Sequence, residues 1–240
     1  MNGFGLMGRP ALAILGIPSL VAVVLCVLLP RRWSSLADLG IHRLGARRLA
    51  VAVLTGAGGT VLGVVAITAT GLAHLPPAGG LLLPIGAWHL LGGLRQGILE
   101  EFGWRGFLQV RLTRLAGART AVVLTGLSWA AFHYGLVVTS GPPHGLPLPV
   151  HLAILTTTLV GVSAFAGYLY LVTGSAWPAV ALHAANNIVS DYVDRVIGFG
   201  SPGTMAEAVG ELVGLAFWTV LAAWAWRRLE VRSASGSAVV

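Results

Sequence analysis

The chain has 240 residues, of which 56% are hydrophobic and only 10% are charged, and its mean hydropathy is +0.83. An ordinary soluble domain carries about 25% charged residues, so this composition excludes a soluble globular protein. The net charge of +7 comes from arginines in short segments beside apolar stretches. Such placement indicates membrane topology and contact with the lipid bilayer, and no nucleic acid is expected as a partner.

Seven apolar stretches are long enough to cross a bilayer, which takes roughly 20 mostly apolar residues each. We predict spans over residues 11–30, 49–73, 81–104, 120–139, 149–172, 176–196 and 205–226. Because lipid cannot hydrogen-bond to backbone amides, each span is expected to be helical. The predicted fold is therefore an all-α, polytopic transmembrane bundle of about seven spans, in a multi-pass protein of the cell membrane.

Arginine placement predicts the orientation of this bundle, because arginines near span ends collect on the cytoplasmic side. Three groups follow the first, third and seventh spans, and all three fall on one side: Arg31, Arg32, Arg43, Arg47 and Arg48; Arg105, Arg111, Arg114 and Arg119; Arg227, Arg228 and Arg232. The opposite side keeps Arg9 and Arg195. We therefore predict an N-terminus outside the cell and a C-terminus in the cytoplasm.

Two adjacent acids, Glu100 and Glu101, stand at the inner end of the third predicted span. An acid inside a span costs on the order of 2.5–3.5 kcal/mol on insertion scales, so it needs a reason to be there. Neighbouring helical residues point about 100° apart, so the two carboxylates are expected to have different roles. Arg105 lies four residues after Glu101, the favourable order for an ion pair on one helix face. This spacing leaves Glu100 as the freer carboxylate and the better candidate for a general base.

A histidine, His133, lies in the middle of the fourth predicted span, one helical turn after Trp129. A lone histidine within a membrane more often donates a hydrogen bond between helices than acts in catalysis. Trp129, on the same helix face, is expected either to wall a pocket or to fill space in the bundle.

Two further polar residues, His183 and Asn187, lie four positions apart in the sixth predicted span, which places them on one helix face. Asn186 points elsewhere. Alone, such a pair can be structural, holding two helices together by hydrogen bonds. Under the predicted topology, however, the third, fourth and sixth spans carry their polar groups to similar depth. A base, two imidazoles and an amide around one wet pocket are sufficient for hydrolysis.

Taken in order on separate spans, Glu-Glu-x-x-x-Arg, aromatic-x-x-x-His and His-x-x-x-Asn resemble the motifs of the CPBP family of intramembrane proteases. This family includes the Ras-converting CAAX endopeptidases and bacterial bacteriocin-processing and self-immunity proteins. The resemblance covers about residues 81–190, and its first motif, with the surrounding Phe-Gly-Trp-Arg-Gly, is highly specific. One departure is Trp129, since the family usually has phenylalanine there.

The resemblance implies a role for each matching residue. Glu100 and His133 would activate the attacking water, and His183 and Asn187 would form the oxyanion site. Glu101 with Arg105 would order the cavity. Family members have been regarded both as metalloproteases and as metal-free glutamate proteases, so the cofactor is either none or zinc. A catalytic zinc usually takes three protein ligands, which Glu100, His133 and His183 could supply.

Three regions follow from this assignment: N-terminal transmembrane helices with a basic cytoplasmic loop over 1–80, a catalytic core over 81–190, and a C-terminal transmembrane helix with a tail over 191–240. The predicted function is an endopeptidase that uses glutamate-activated water on a membrane-associated, prenylated or leader peptide substrate. A non-hydrolytic partner-binding or immunity protein of the same fold is the alternative. A proton-coupled carrier is disfavoured because the sequence lacks the repeat symmetry of many transporters.

The remaining polar residues of the spans are expected to be interfacial or to serve packing within the bundle. Those assigned to the outer ends of spans or toward the outer face are His89, His151, Asp191, Asp194, Glu207 and Glu211. We assign no function to them from the sequence.

Overall fold

The computed structural model describes residues 16–29, 39–75, 87–140, 146–196 and 204–234. Within these ranges the chain consists of helices and short connections, and it contains no β-strand. The predicted all-α fold is confirmed.

The helices follow one another in the order expected for a bundle. The described ranges contain seven α-helices: α1 Ile17–Leu28, α2 Leu49–Ala69, α3 Ala87–Glu101, α4 Val110–Ser140, α5 Leu148–Thr173, α6 Trp177–Val196 and α7 Thr204–Ala234. A π-helical segment, Phe102–Gln109, joins α3 to α4 without interruption. A short 3-10 turn, Ala46–Arg48, precedes α2. Each predicted span overlaps one of these helices, although the expected starts of the first and third spans lie outside the described residues.

Some of the described helical stretches are long and apolar enough to cross a membrane. Four meet both criteria: Ala46–Ala69, His89–Val138, Leu148–Thr173 and Met205–Leu229. The second is 50 residues long and contains α3, the π-helical segment and α4. Since one crossing takes roughly 20 residues, this stretch is long enough for two. The chain is an integral membrane protein, while the count of seven spans stays a prediction.

The helix that contains the third predicted span does not end at residue 104, where that span was predicted to end. It continues through the π-helical segment and breaks at Gly117, where φ is 80° and ψ is 163°. Arg105, which we assigned to the arginines beyond this span, lies inside the π-helical segment and is fully buried. A buried arginine is tolerated when an acid neutralises it, and Glu101 is one turn away.

Helix α6 occupies the centre of the bundle, where it packs against α2, α3 and α5. Small residues allow the closest of these approaches, as is common between membrane helices. At Gly97 of α3, an added Cβ would lie 2.8 Å from the carbonyl oxygen of Val180 on α6. This contact brings the acidic end of α3 next to the helix that carries His183.

Helix α1 closes the other side of the acidic pair by packing against the π-helical segment. A Cβ on Gly103 would collide with the backbone of Pro18 in α1, so only glycine permits this approach. Gly103 therefore allows α1 to approach closely the segment that follows the two acids.

Candidate active site

Four helical elements contribute the six predicted site residues. Glu100 and Glu101 end α3, Arg105 lies in the π-helical segment, His133 is on α4, and His183 and Asn187 are on α6. Glu100 and Arg105 have no exposed surface, Glu101 is 1% exposed and His183 is 5% exposed. His133 and Asn187 are half-buried. A π-helical turn of this kind is rare and frequently occurs at functional sites.

The first part of the site is the Arg105–Glu101–His183 network. Nη1 of Arg105 donates to Oε1 of Glu101 at 2.7 Å, so the predicted ion pair is present. Nδ1 of His183 lies 2.8 Å from the same oxygen. Because an ionised carboxylate only accepts hydrogen bonds, Nδ1 of His183 carries its proton and donates. Glu101 thus joins the first motif to the third, a link that the sequence did not predict.

The second part is the carboxylate of Glu100, which the sequence predicted to be the freer of the two. Among the described residues Glu100 forms no ion pair, as expected, but it accepts three hydrogen bonds. Trp129 donates to Oε2 at 2.7 Å and Trp104 at 3.4 Å, while Gln96 donates to Oε1 at 3.2 Å. The physical reason is that a carboxylate buried without such donors would be very costly. All three donors are uncharged, so Glu100 differs from the ion-paired Glu101.

Trp129 connects the two parts of the site. Its indole N–H holds Glu100, and the guanidinium carbon of Arg105 lies 4.5 Å from the centroid of its ring. The imidazole of His183 lies 5.3 Å from the same ring, centroid to centroid. Trp129 is therefore more than the wall or space-filler that the sequence suggested, because it contacts four of the six predicted site residues, His133 included.

His133 lies beside this group. Its Nδ1 is 2.9 Å from the carbonyl oxygen of Trp129, and since a carbonyl only accepts, Nδ1 donates. In the neutral imidazole the lone pair is then on Nε2, which makes no hydrogen bond to a described residue. The imidazole of His133 packs beside the ring of Trp129, with ring centroids 5.8 Å apart. Among the described residues, His133 forms no hydrogen bond to Glu100 or Glu101.

Asn187 carries an unused donor. Its Nδ2 is buried and has no hydrogen-bond partner among the described residues, while its Oδ1 accepts a 3.4 Å bond from Asn186. A buried polar atom without a partner is unusual in a folded protein and requires an explanation. Asn187 lies one turn after His183 on α6, so its position is suitable for a group that binds a substrate oxygen.

The three residues that could supply zinc ligands, Glu100, His133 and His183, are not gathered around one point in this arrangement. Among the described residues, no three His, Cys, Asp or Glu side chains are placed to hold one. Both oxygens of Glu100 already accept N–H donors, and Nδ1 of His183 is bound to Glu101. These hydrogen bonds leave Nε2 of His183 and of His133 open, and zinc-binding histidines commonly donate their other N–H to a carboxylate or carbonyl, so the hydrogen bonds alone do not exclude coordination.

Sequence reasoning missed the donors that surround Glu100. Gln96 and Trp104 could have been found, because they lie four residues before and after Glu100 and helical residues at that spacing share a face. The donor on Trp129 comes from another helix. In the sequence, the only indication of this donor is that an indole N–H buried in a membrane protein needs an acceptor.

Comparison with known proteins gives one match. Residues 82–189, which include all six predicted site residues, match the family model described as Type II CAAX prenyl endopeptidase Rce1-like. No curated protein and no solved structure matches the chain.

Proposed function

We propose that this chain, a member of the CPBP family of CAAX proteases by its match over residues 82–189, is an intramembrane endopeptidase acting on a membrane-associated substrate. The substrate is a prenylated peptide or a leader peptide. The observation that carries the proposal is the fully buried carboxylate of Glu100, held by three uncharged N–H donors beside the Arg105–Glu101–His183 network.

Glu100 acts as the general base. A carboxylate that is fixed by N–H donors, and not by an ion pair, keeps a lone pair that can accept a proton from water. His133 orients this water through its Nε2, which has no hydrogen-bond partner among the described residues. The water then attacks the peptide carbonyl, and Glu100 passes the proton to the departing amine.

His183 and Asn187 stabilise the negative charge that forms on the carbonyl oxygen. Nδ2 of Asn187 is a buried donor without a partner, which is the state expected of an oxyanion donor before substrate binds. His183 donates through Nε2 as an imidazolium, because its Nδ1–H is already donated to Glu101. Glu101 and Arg105 are positioning residues: they fix the orientation of this imidazole and do not touch the substrate.

We further propose that the protein lies in the cell membrane with seven spans, its N-terminus outside and its C-terminus in the cytoplasm. This arrangement places the site in the cytoplasmic half of the membrane. Seven α-helices in the described ranges and the grouping of the arginines support it.

Cysteine labelling is expected to report this orientation. In a Cys26→Ser background, His74→Cys, five residues after the end of α2, should react with an impermeant maleimide in intact cells, because we assign that side to the outside. Ala116→Cys, just before the break in α4, should react only after permeabilisation. Both positions are exposed, so access to the reagent depends on the side of the membrane. Labelling of Ala116→Cys in intact cells would contradict the topology.

Substitution of Trp129 should separate the role of its N–H from that of its ring. Trp129→Phe removes the 2.7 Å donor to Glu100, at an expected cost of about 1–3 kcal/mol in unfolding free energy. Because the family usually has phenylalanine here, this variant should still cleave. Trp129→Ala also removes the packing against Arg105 and His183 and should cost about 3–5 kcal/mol. Denaturant unfolding of both variants in detergent tests the difference, and equal losses would contradict a separate role for the ring.

Hydrolysis is expected to persist without a bound metal ion. Glu100 is the proposed base and His183 and Asn187 are the proposed oxyanion donors, so the residues proposed here work without a metal. Purified protein treated exhaustively with a strong chelator should keep its cleavage rate, with metal content well below one ion per chain by elemental analysis. Loss of activity that stoichiometric zinc restores would reverse this prediction and assign His133 and His183 as ligands.

The proposed function is tested with the purified chain in lipid nanodiscs. A peptide ending in a farnesylated CAAX sequence, its unprenylated counterpart and a membrane-anchored leader peptide are each incubated with it, and products are identified by mass spectrometry. Cleavage of the farnesylated or leader peptide is the expected result. Saturable binding of a peptide without any cleavage would instead favour the non-hydrolytic partner-binding alternative.

A further inference from the structure

The three donors to Glu100 are divided unequally between its two carboxylate oxygens. Oε2 accepts from Trp129 at 2.7 Å and from Trp104 at 3.4 Å, whereas Oε1 accepts from Gln96 at 3.2 Å. An ionised carboxylate offers about four lone-pair sites, two on each oxygen. Among the described residues, the donors therefore occupy both sites of Oε2 and leave one on Oε1. This remaining lone pair is the place where Glu100 can accept a proton.

Gln96 is a buried polar residue in an apolar helix. It lies on α3 one turn before Glu100 and is 8% exposed. A buried amide without a hydrogen bond is destabilising, and the hydrogen bond that Gln96 forms with a described residue goes to Glu100. Because an ionised carboxylate only accepts, the amide presents its Nε2 and not its oxygen to Glu100. The contact is therefore part of the site and has a fixed direction.

The donor from Gln96 has no substitute on its own oxygen. Without the N–H of Trp129, Oε2 would still face Trp104, whose ring is held against Phe132 with centroids 5.7 Å apart. Without Gln96, Oε1 has no donor from the described part of the chain. The last torsion of a glutamate side chain is broad, so a carboxylate held at one oxygen can turn about it. The plane of this carboxylate consequently depends on Gln96.

We propose that Gln96 is a positioning residue, which fixes Glu100 so that Oε1 is the atom that takes the proton from the attacking water. The proposal rests on the hydrolytic function given above. In this step an O–H bond of water breaks, its proton joins Oε1 and the water oxygen joins the carbonyl carbon. The same proton then passes from Oε1 to the amine nitrogen as the C–N bond breaks. Gln96 gives up no proton and does not touch the substrate.

Replacement of Gln96 by methionine tests the proposal, because it removes the donor and keeps a side chain of similar size. The kcat for the peptide that the unaltered chain cleaves should fall roughly 10- to 100-fold, since a small misplacement of a reacting group has an effect of this order. KM should stay within about twofold, because the lost contact is not made to the substrate. Both are measured in nanodiscs at equal amounts of inserted protein.

Gln109→Met is the matched control. Gln109 is also a buried glutamine of the same continuous helical stretch, and it donates to the backbone oxygen of Gly167 at 3.3 Å, outside the catalytic group. Both changes remove one buried hydrogen bond, so an effect of stability alone would appear in both. The kcat of Gln109→Met should remain close to that of the unaltered protein.

Two further variants test which atom matters. Gln96→His should recover much of the kcat lost in Gln96→Met, because its Nε2 lies the same number of bonds from the backbone as the amide nitrogen of glutamine. Trp104→Phe removes the 3.4 Å donor from Oε2, where Trp129 remains. It should therefore lower kcat less than Gln96→Met does.

Infrared spectroscopy tests the positioning without any cleavage. The carboxylate bands of Glu100 are obtained as the difference between the unaltered protein and Glu100→Gln. The same difference taken in a Gln96→Met background should be shifted and broader, because Oε1 has lost its donor and the carboxylate takes several orientations. A Gln109→Met background should reproduce the bands of the unaltered protein.

A Gln96→Met variant that cleaves as fast as the unaltered protein would overturn the proposal. Equal kcat in Gln96→Met and Gln96→His, or a larger loss in Trp104→Phe, would overturn it as well. Failure of the hydrolytic function is distinguishable, since the unaltered protein would then not cleave while the infrared bands of Glu100 still responded to Gln96→Met. That result would overturn the catalytic role of both residues.

Discussion

Replacement of Glu100 by glutamine is expected to reduce peptide cleavage by roughly 10²- to 10⁴-fold, the usual contribution of a general base. Glutamine has nearly the same size as glutamate, and its amide oxygen can still accept the N–H of Trp129. It cannot accept a proton from water. The variant should therefore insert and unfold like the unaltered protein, so that the loss appears in the cleavage rate of the nanodisc assay alone.

Asp191→Asn provides the matched control for this change. It is also an exchange of acid for amide, and it lies on α6, where Asp191 contacts His89 at 3.4 Å outside the catalytic group. Cleavage by Asp191→Asn should remain close to that of the unaltered protein. Full turnover by Glu100→Gln, measured beside this control, would show that Glu100 is not the base.

Replacement of Arg105 by methionine is expected to lower the free energy of unfolding by about 3–5 kcal/mol, because it leaves the charge of Glu101 buried without its cation. Arg105 is fully buried and holds Glu101 at 2.7 Å. Arg119→Met is the control, since Arg119 is partly exposed and donates to the backbone oxygen of Trp226. Denaturant unfolding in detergent measures both variants, and the control should change little.

A second substitution distinguishes loss of the charge pair from loss of packing. Glu101→Gln combined with Arg105→Met removes the uncompensated charge, so the double variant should be more stable than Arg105→Met alone. It should still be inactive, because His183 loses the carboxylate that orients it. A double variant less stable than Arg105→Met would contradict the account of the Arg105–Glu101–His183 network.

The sequence predicted those features of the site that depend on local helix geometry. The pairing of Glu101 with Arg105 and the different direction of Asn186 both follow from residue spacing along one helix. Burial of Arg105 did not follow, because arginines after an apolar stretch are normally cytoplasmic. Its paired acid and the π-helical segment keep it inside the bundle.

Contacts between helices could not be predicted from spacing. The bonds from His183 to Glu101 and from Trp129 to Glu100 join residues 82 and 29 positions apart, so they depend on how the helices pack. The 3.4 Å contact between His151 and Glu211 has the same origin. His151 and Glu211 were expected to be ordinary polar groups of separate spans, and only the packing of α5 against α7 brings them together.

The measurement that tests the central claim most directly is a comparison of protein termini in cell membranes. Cells that produce the unaltered chain, Glu100→Gln or Asp191→Asn are compared by mass spectrometry of newly formed N- and C-termini, at equal amounts of inserted protein. The account predicts termini of membrane-associated proteins that appear with the unaltered chain and with Asp191→Asn but are absent with Glu100→Gln. The same termini in cells with Glu100→Gln would contradict hydrolysis by water that Glu100 activates.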